Sequence, residues 1–285
     1  MAEGARLGVE SLSFSLGGDA TNLAIALTKM GYPAKLISGV GSDVVGECLM
    51  TALQTYGIDT SEVVRLSGQK KYATLIFRFP DRERTLFIDG REYLPFAPPL
   101  DCVRENDIVA LCSLLQEPLL RPERAAAIAR EARERGAIVC ADSYTVRDLA
   151  GFEAYRCVFP YLDFYFPNDE EAARYTGCAE PEPACRRILD WGVKNVVMKL
   201  GARGCMLRGE LGSVDLPAFN AGKVVDTTGC GDHFLAGFLG ALLDGEAPRG
   251  CCLRASAVAA ICTRYSGAST SVLERGEIDA IINGR

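Results

Sequence analysis

From Thr21 onward the chain alternates short apolar runs with segments of helical period, and this alternation constrains the fold more than anything else in it. "TNLAIALTKMG" places apolar residues at helical spacing and stops on Gly, "AKLISGVG" is short and apolar, and "DVVGECLMTALQTYG" starts on Asp and stops on Gly. The second half repeats the rhythm. A helix with i,i+4 charge pairs, "ERAAAIAREARERG", is followed by the apolar strands "AIVCAD", "FYFPN", "VKNVVMKLG" and "GCMLRG". Apolar strands separated by helices predict a mostly parallel sheet with helices on both faces. One stretch departs from this. Val63 to Tyr93 alternates apolar and polar residues around "PDRER" without a helix signal, and with "ESLSFSL" before Gly17 it predicts a small antiparallel sheet. That sheet suits a lid over a site, an edge extension or a dimer contact. The expected division is a core of 17–62 and 94–285 with a lid of 9–16 and 63–93.

With 285 residues and 48% hydrophobic content the chain can bury a large core. Its net charge of -6 argues against nucleic acid or an anionic membrane surface as the main partner. The 12 Cys lie in apolar segments with no C-x-x-C pair and read as reduced, mostly buried hydrophobes. The start lacks a signal-like h-region, and no apolar run approaches about 18 residues. A cytoplasmic protein is the expectation. The single His, His233, removes reaction classes built on histidine relays or His-rich metal centres, so a general base is expected to be a carboxylate.

Chemistry is densest in "VVDTTGCGDHFLAGF", Val224 to Phe238. In open α/β sheets, ligands collect where strand ends run into helix N-termini. Gly229 and Gly231 allow consecutive N–H groups to face one concavity, to which the following helix adds its positive end, so a phosphate is the expected occupant. Asp232 then has two readings. It is either a helix N-cap, or the acceptor of a proton from a hydroxyl that attacks the phosphate.

The spacing D-T-T-G-C-G-D-x-F-x-A-G-F resembles the C-terminal signature of the ribokinase-like, or PfkB, carbohydrate kinases. Three more blocks resemble that family in its order: "GGDATNLAIALTKMG" from Gly17, "PNDEE" from Pro167 and "KLGARG" from Lys199. The resemblance runs from about Ser13 to Ser271. It implies a ribokinase-like three-layer α/β/α core with a mostly parallel sheet and a small antiparallel β lid. It also implies an ATP-dependent sugar kinase that transfers the γ-phosphoryl group to a sugar or sugar-acid hydroxyl. Asp232 would be the base, and the backbone of Gly229, Cys230 and Gly231 the anion hole. Asn168 and Glu171 would organise Mg²⁺ and phosphate, Glu171 through water, although the same pair fits a capping box. Lys199, Gly201, Gly204 and Ser256 would line ATP. Gly17, Gly18, Asp19 and Asn22 would line the sugar pocket, with Asn22 alternatively a helix cap. Asp226, Thr228, Gly267 and Ser271 match positions that bind a monovalent cation such as K⁺ in many members, while Gly267 also fits a helix C-cap. His233 reads as packing or a pocket wall.

Asp142 and Arg147 match a D-x-N-x-R element only loosely, with the spacing off by one, and choose no substrate. One departure stands out. Few residues precede "SFSLGG", and "ARLGVES" is a poor central strand, so the family's N-terminal strand is expected to be truncated or lost. That would leave a gap in the sheet and weaken the acceptor site. The competing expectations are a nucleoside kinase of the same family and an impaired nucleotide- or sugar-binding protein. A homodimer through the lid is expected by analogy.

Overall fold

A computed structural model describes residues 15–66, 100–115, 121–143, 149–220 and 222–284, with 74–79, 82–88, 149 and 150 described by their backbone alone. The expected N-terminal lid strand and sheet gap, Arg147, and the end of the lid stretch at 89–93 lie outside these residues.

The helices begin and end where local chemistry directs. Helix α1 spans Asp19–Lys29, and strand β1, Ser38–Gly41, leads into α2, Val44–Thr55. Asp43 caps α2, accepting the Gly46 N–H at 2.9 Å. Strand β2, Val63–Leu66, pairs in parallel with β1. This departs from the expected antiparallel lid, because alternation reports which faces of a strand are wet but not the direction of its neighbour. Strands β3, Thr74–Phe79, and β4, Arg82–Ile88, do form an antiparallel pair.

Among the described residues the central sheet has six strands: β5 (Ile108–Leu111), β6 (Ile138–Ala141), β7 (Phe164–Tyr165), β8 (Asn195–Lys199), β9 (Cys205–Gly209) and β10 (Gly212–Leu216). Their order across the sheet is β10-β9-β8-β7-β6-β5. The first four strands in sequence are mutually parallel, and β9 and β10 add an antiparallel edge. Successive residues of β8 face opposite layers. Val196 and Met198 join the core formed with α3 (Pro122–Glu134), α4 (Leu149–Tyr155), α5 (Asp169–Thr176) and α6 (Pro181–Leu189). Val197 joins the core formed with α1, α7 (Cys230–Leu243), α8 (Pro248–Cys262) and α9 (Arg275–Asn283). A sheet buried on both faces explains its almost unbroken apolar strands. It also leaves the carboxyl ends of β5 to β8 as one line of loops, where polar residues are free to converge.

Candidate active site

Four neighbouring parallel strands each deliver polar side chains just past their carboxyl ends. Ser113 follows β5, Asp142 and Ser143 follow β6, Asn168 follows β7, and Lys199 closes β8. The Lys199 ammonium lies 2.8 and 2.9 Å from the two Asp142 oxygens. It is also beside the turn into α7, since a Cβ placed on Gly231 would stand 3.5 Å from it. Burial pulls the Lys199 pKa down, but the charges of Asp142 and Glu171, with Asp232 behind them, more than offset this and raise it. Lys199 is therefore a fixed positive charge under the glycine turn.

The turn itself is shaped by tertiary contact. Gly229 is the N-cap of α7, in the left-handed region at φ 79°, and no side chain caps the helix. A Cβ there would come within 2.6 Å of that of Ala268, so the position requires glycine. Asp232 occupies the third helical position and is not the N-cap. Among the described residues the Gly229 and Gly231 N–H groups have no partner, whereas that of Cys230 reaches the Thr227 carbonyl at 3.3 Å.

Asp232 instead meets the other end of the chain. Asn22, 5% exposed, donates its side-chain N–H to Asp232 Oδ2 at 2.7 Å. Helix α1 starts at Asp19 with Gly18 as its N-cap, so Asn22 lies inside the first turns and caps nothing. Its Oδ1 is buried without a hydrogen-bond partner among the described residues. Such an orphan acceptor is costly unless a ligand hydroxyl supplies the missing donor. Beside it the Ser113 hydroxyl donates to Asp19 Oδ2. Ser113 holds φ 54°, a conformation that a non-glycine residue adopts at some cost. Burial raises the Asp232 carboxyl well above its ordinary range, the charge of Asp19 raises it further, and the Asn22 bond partly opposes both.

Asn168 and Glu171 do form the capping box of α5. Asn168 Oδ1 accepts the Glu171 N–H at 2.8 Å, and Glu171 Oε2 accepts the Asn168 N–H at 3.0 Å. Glu171 also accepts from the Ser143 hydroxyl at 3.2 Å, which in turn accepts from Tyr165 at 2.9 Å. Burial raises the Glu171 pKa against the opposing charge of Lys199. No group of three or more His, Cys, Asp or Glu side chains converges for direct metal binding among the described residues. Glu171 Oε2 thus serves both the cap and the Ser143 hydroxyl.

The remaining expected residues divide. Gly201 begins a short 3₁₀ turn, Gly201–Arg203, one intervening residue after Lys199, and Gly204 ends it. Ser256 is buried on α8 with its hydroxyl 3.4 Å from the Cys205 sulfur, apart from the carboxylate cluster. Gly17 and Gly18 lead into α1. Asp226 Oδ1 accepts from the Thr228 N–H and hydroxyl at 3.0 and 2.7 Å, and its Oδ2 from the Gly267 N–H at 2.8 Å. Gly267 is thus a partner of Asp226 and no helix cap, since α8 ends at Cys262. Sequence reasoning set Asp142 aside and missed Ser113 and Ser143. Only the positions of Asp142, Ser113 and Ser143 immediately after apolar strands signalled them.

The model for the "pfkB family carbohydrate kinase" matches residues 3–275. The chain belongs to this family. The match spans nearly the whole chain, so the family's ATP-dependent phosphotransfer applies to this protein as a class of activity. A curated relative, the ATP-dependent ribose-1-phosphate kinase of Halopiger xanaduensis, is 32% identical over 253 residues, covering 85% of this chain and 78% of its own. The ATP-dependent 6-phosphofructokinase of Thermoanaerobacterium thermosaccharolyticum is 28% identical over 280 residues, covering 93% and 83%. Arabidopsis thaliana ribokinase complexed with ribose and ATP superposes with a TM-score of 0.81 at 22% identity, covering 99% and 92%, and shows the ribokinase-like fold. No helix among the described residues is long and apolar enough to cross a membrane.

Proposed function

We propose that this pfkB-family kinase transfers the γ-phosphoryl group of ATP to a hydroxyl of a neutral sugar, with Asp232 as the general base. The observation that carries this reading is the 2.7 Å bond from Asn22 to Asp232, which joins the acceptor-side and phosphoryl-side signatures across 210 residues of sequence. The orphan Asn22 Oδ1 faces the same place and suits a polyol hydroxyl. Asp232 takes the proton of the attacking hydroxyl, and its raised pKa makes it a better base near neutral pH than an ordinary carboxylate. The N–H groups of Gly229 and Gly231, with the positive end of α7 and the Lys199 ammonium, stabilise charge on the phosphoryl group in flight. Bound Mg²⁺ would neutralise phosphate charge, with Glu171 orienting its water. Gly201 and Gly204 let the backbone after Lys199 run close along the nucleotide.

The acceptor side displays the carboxylate of Asp19 close to that of Asp232, and this favours uncharged hydroxyls over a phosphorylated or acidic sugar. Turnover of ATP against a panel of sugars, sugar phosphates, sugar acids and nucleosides tests the assignment. Asp232→Asn is expected to lower kcat roughly 10²–10⁴-fold with nucleotide affinity kept. Full activity in that variant, or a clear preference for a phosphorylated acceptor, would reject the corresponding half of the proposal.

A further inference from the structure

Among the described residues only Asn106 and Ser113 hold a positive φ without being glycine. Asparagine enters that region readily, whereas serine at φ 54° is held there at a cost. The clamp on Ser113 is visible on both sides of it. The Leu111 carbonyl before it accepts the Asp142 N–H at 3.1 Å, and the Leu114 N–H after it donates to the Asp142 carbonyl at 3.0 Å. Leu114 and Leu115 are then buried in the core at 0% and 2% exposure. Glycine would take this bend without strain, so what serine adds is its hydroxyl. That hydroxyl donates to Asp19 Oδ2, 94 residues away in the chain.

Asp19 starts a helix that is fixed by other means. Helix α1 is anchored at its far end, where the Lys29 ammonium lies 2.6 Å from the Ser269 carbonyl and 2.7 Å from that of Ser271. The Ser271 hydroxyl is in turn 2.6 Å from His233 Nε2, and the Ser269 hydroxyl reaches the Leu16 carbonyl at 3.2 Å. With the helix held, the Ser113 bond sets the aim of one side chain. Asp19 and Asn22, about one turn apart, share a face of α1. On that face Asn22 donates to Asp232 and keeps a buried Oδ1 with no partner among the described residues. Asp19 is near enough to Asp232 for its charge to raise that carboxyl. A carboxylate accepts about four hydrogen bonds, and a hydroxyl oxygen accepts while it donates, so Asp19, Ser113 and Asn22 all offer acceptors beside the base. A wall of acceptors calls for a ligand with more than one donor hydroxyl.

We infer that Ser113 is a positioning residue for the acceptor: its clamped hydroxyl holds the Asp19 carboxylate to receive a second hydroxyl of the sugar, next to the one that Asp232 deprotonates. Its role rests on the proposed acceptor site at Asn22 and Asp232.

Ser113→Ala deletes the hydroxyl and keeps the strained bend, whereas Ser113→Gly deletes it and relaxes the bend. With ATP and D-ribose or D-fructose as acceptor, both variants should raise the KM for the sugar roughly 10-fold while the KM for ATP stays within about twofold. Asp19→Ala should raise the sugar KM at least as far, and adding Ser113→Gly to it should raise it no further. A parental sugar KM in Ser113→Gly, or an equal rise for both substrates, overturns the inference, since a merely structural serine is replaced by glycine at this φ without loss. Should Ser113→Ala not fold, Ser113→Gly alone decides. Melting of the ligand-free protein checks the contact apart from turnover: Ser113→Gly should lower Tm further in the parent than in an Asp19→Ala background, and equal shifts count against it. A wild-type protein that phosphorylates no sugar would instead sink the kinase reading, with the melting pair still deciding whether Ser113 holds Asp19.

Discussion

Asp232 shows how one side chain's surroundings set its chemistry. Folding raises its pKa from an ordinary 3.8, mainly by burial and then by Asp19, so the folded state holds the proton more tightly than the unfolded chain. Its stabilising contribution is complete below 3.8 and is lost as pH rises through the folded value, which makes the ionised base a strain on the fold. Asp232→Asn should therefore melt higher than the parent at pH 8, with the difference closing toward pH 4 in a thermal scan. Rate profiles carry the same signs. Removing the Asn22 donor with Asn22→Leu should move the acid limb of kcat to higher pH, because a bond that favours the charged base is gone. Asp19→Asn should move that limb lower by deleting a like charge. A limb that stays put in both variants would show that another group titrates.

At the scale of elements, the glycine turn and the 266–271 loop behave as one unit. Gly229→Ala forces a non-glycine residue to φ 79° and drives its Cβ toward Ala268. The expected cost is about 1–3 kcal/mol of stability by denaturant titration, together with a kcat/KM loss of roughly 10²-fold as the donors shift. Much of this scale was legible beforehand. The Asp43 cap, the glycine stops and the glycine turn into a helix follow from local stereochemistry, and the structure has each of them. Among the described residues no strand precedes that turn, since β10 ends at Leu216 and 224–226 is irregular. Two features were not legible. Alternation at Val63–Leu66 could not reveal its parallel partner β1, and the single-residue readings of Asp232 and Asn22 as caps failed because the helix starts were set by Gly229 and Gly18.

Across the whole molecule, the sheet with helices on both faces creates the site by aligning four strand ends, and six of the 12 cysteines are buried, fewer than the mostly buried set expected. All 12 cysteines are free thiols, and they include Cys140 and Cys205 in central strands. Alkylation of the unfolded protein without reductant should therefore titrate 12 thiols, and a lower count would reveal a disulfide. Burial pushes the Cys140 thiol far above its ordinary pKa, so it should react with alkylating agents only after unfolding.

The sequence by itself determined the alternation of elements, the glycine turn with its following carboxylate, and the family those blocks resemble. All are local patterns of backbone permissiveness and apolar period. Only the tertiary structure decided that Asn22 meets Asp232, that Lys199 pairs with Asp142 and that Lys29 reaches the Ser269 and Ser271 carbonyls. These partners lie 57 to 242 residues apart, and their meeting depends on strand order and on burial strong enough to force charges together. No periodicity in the chain encodes that.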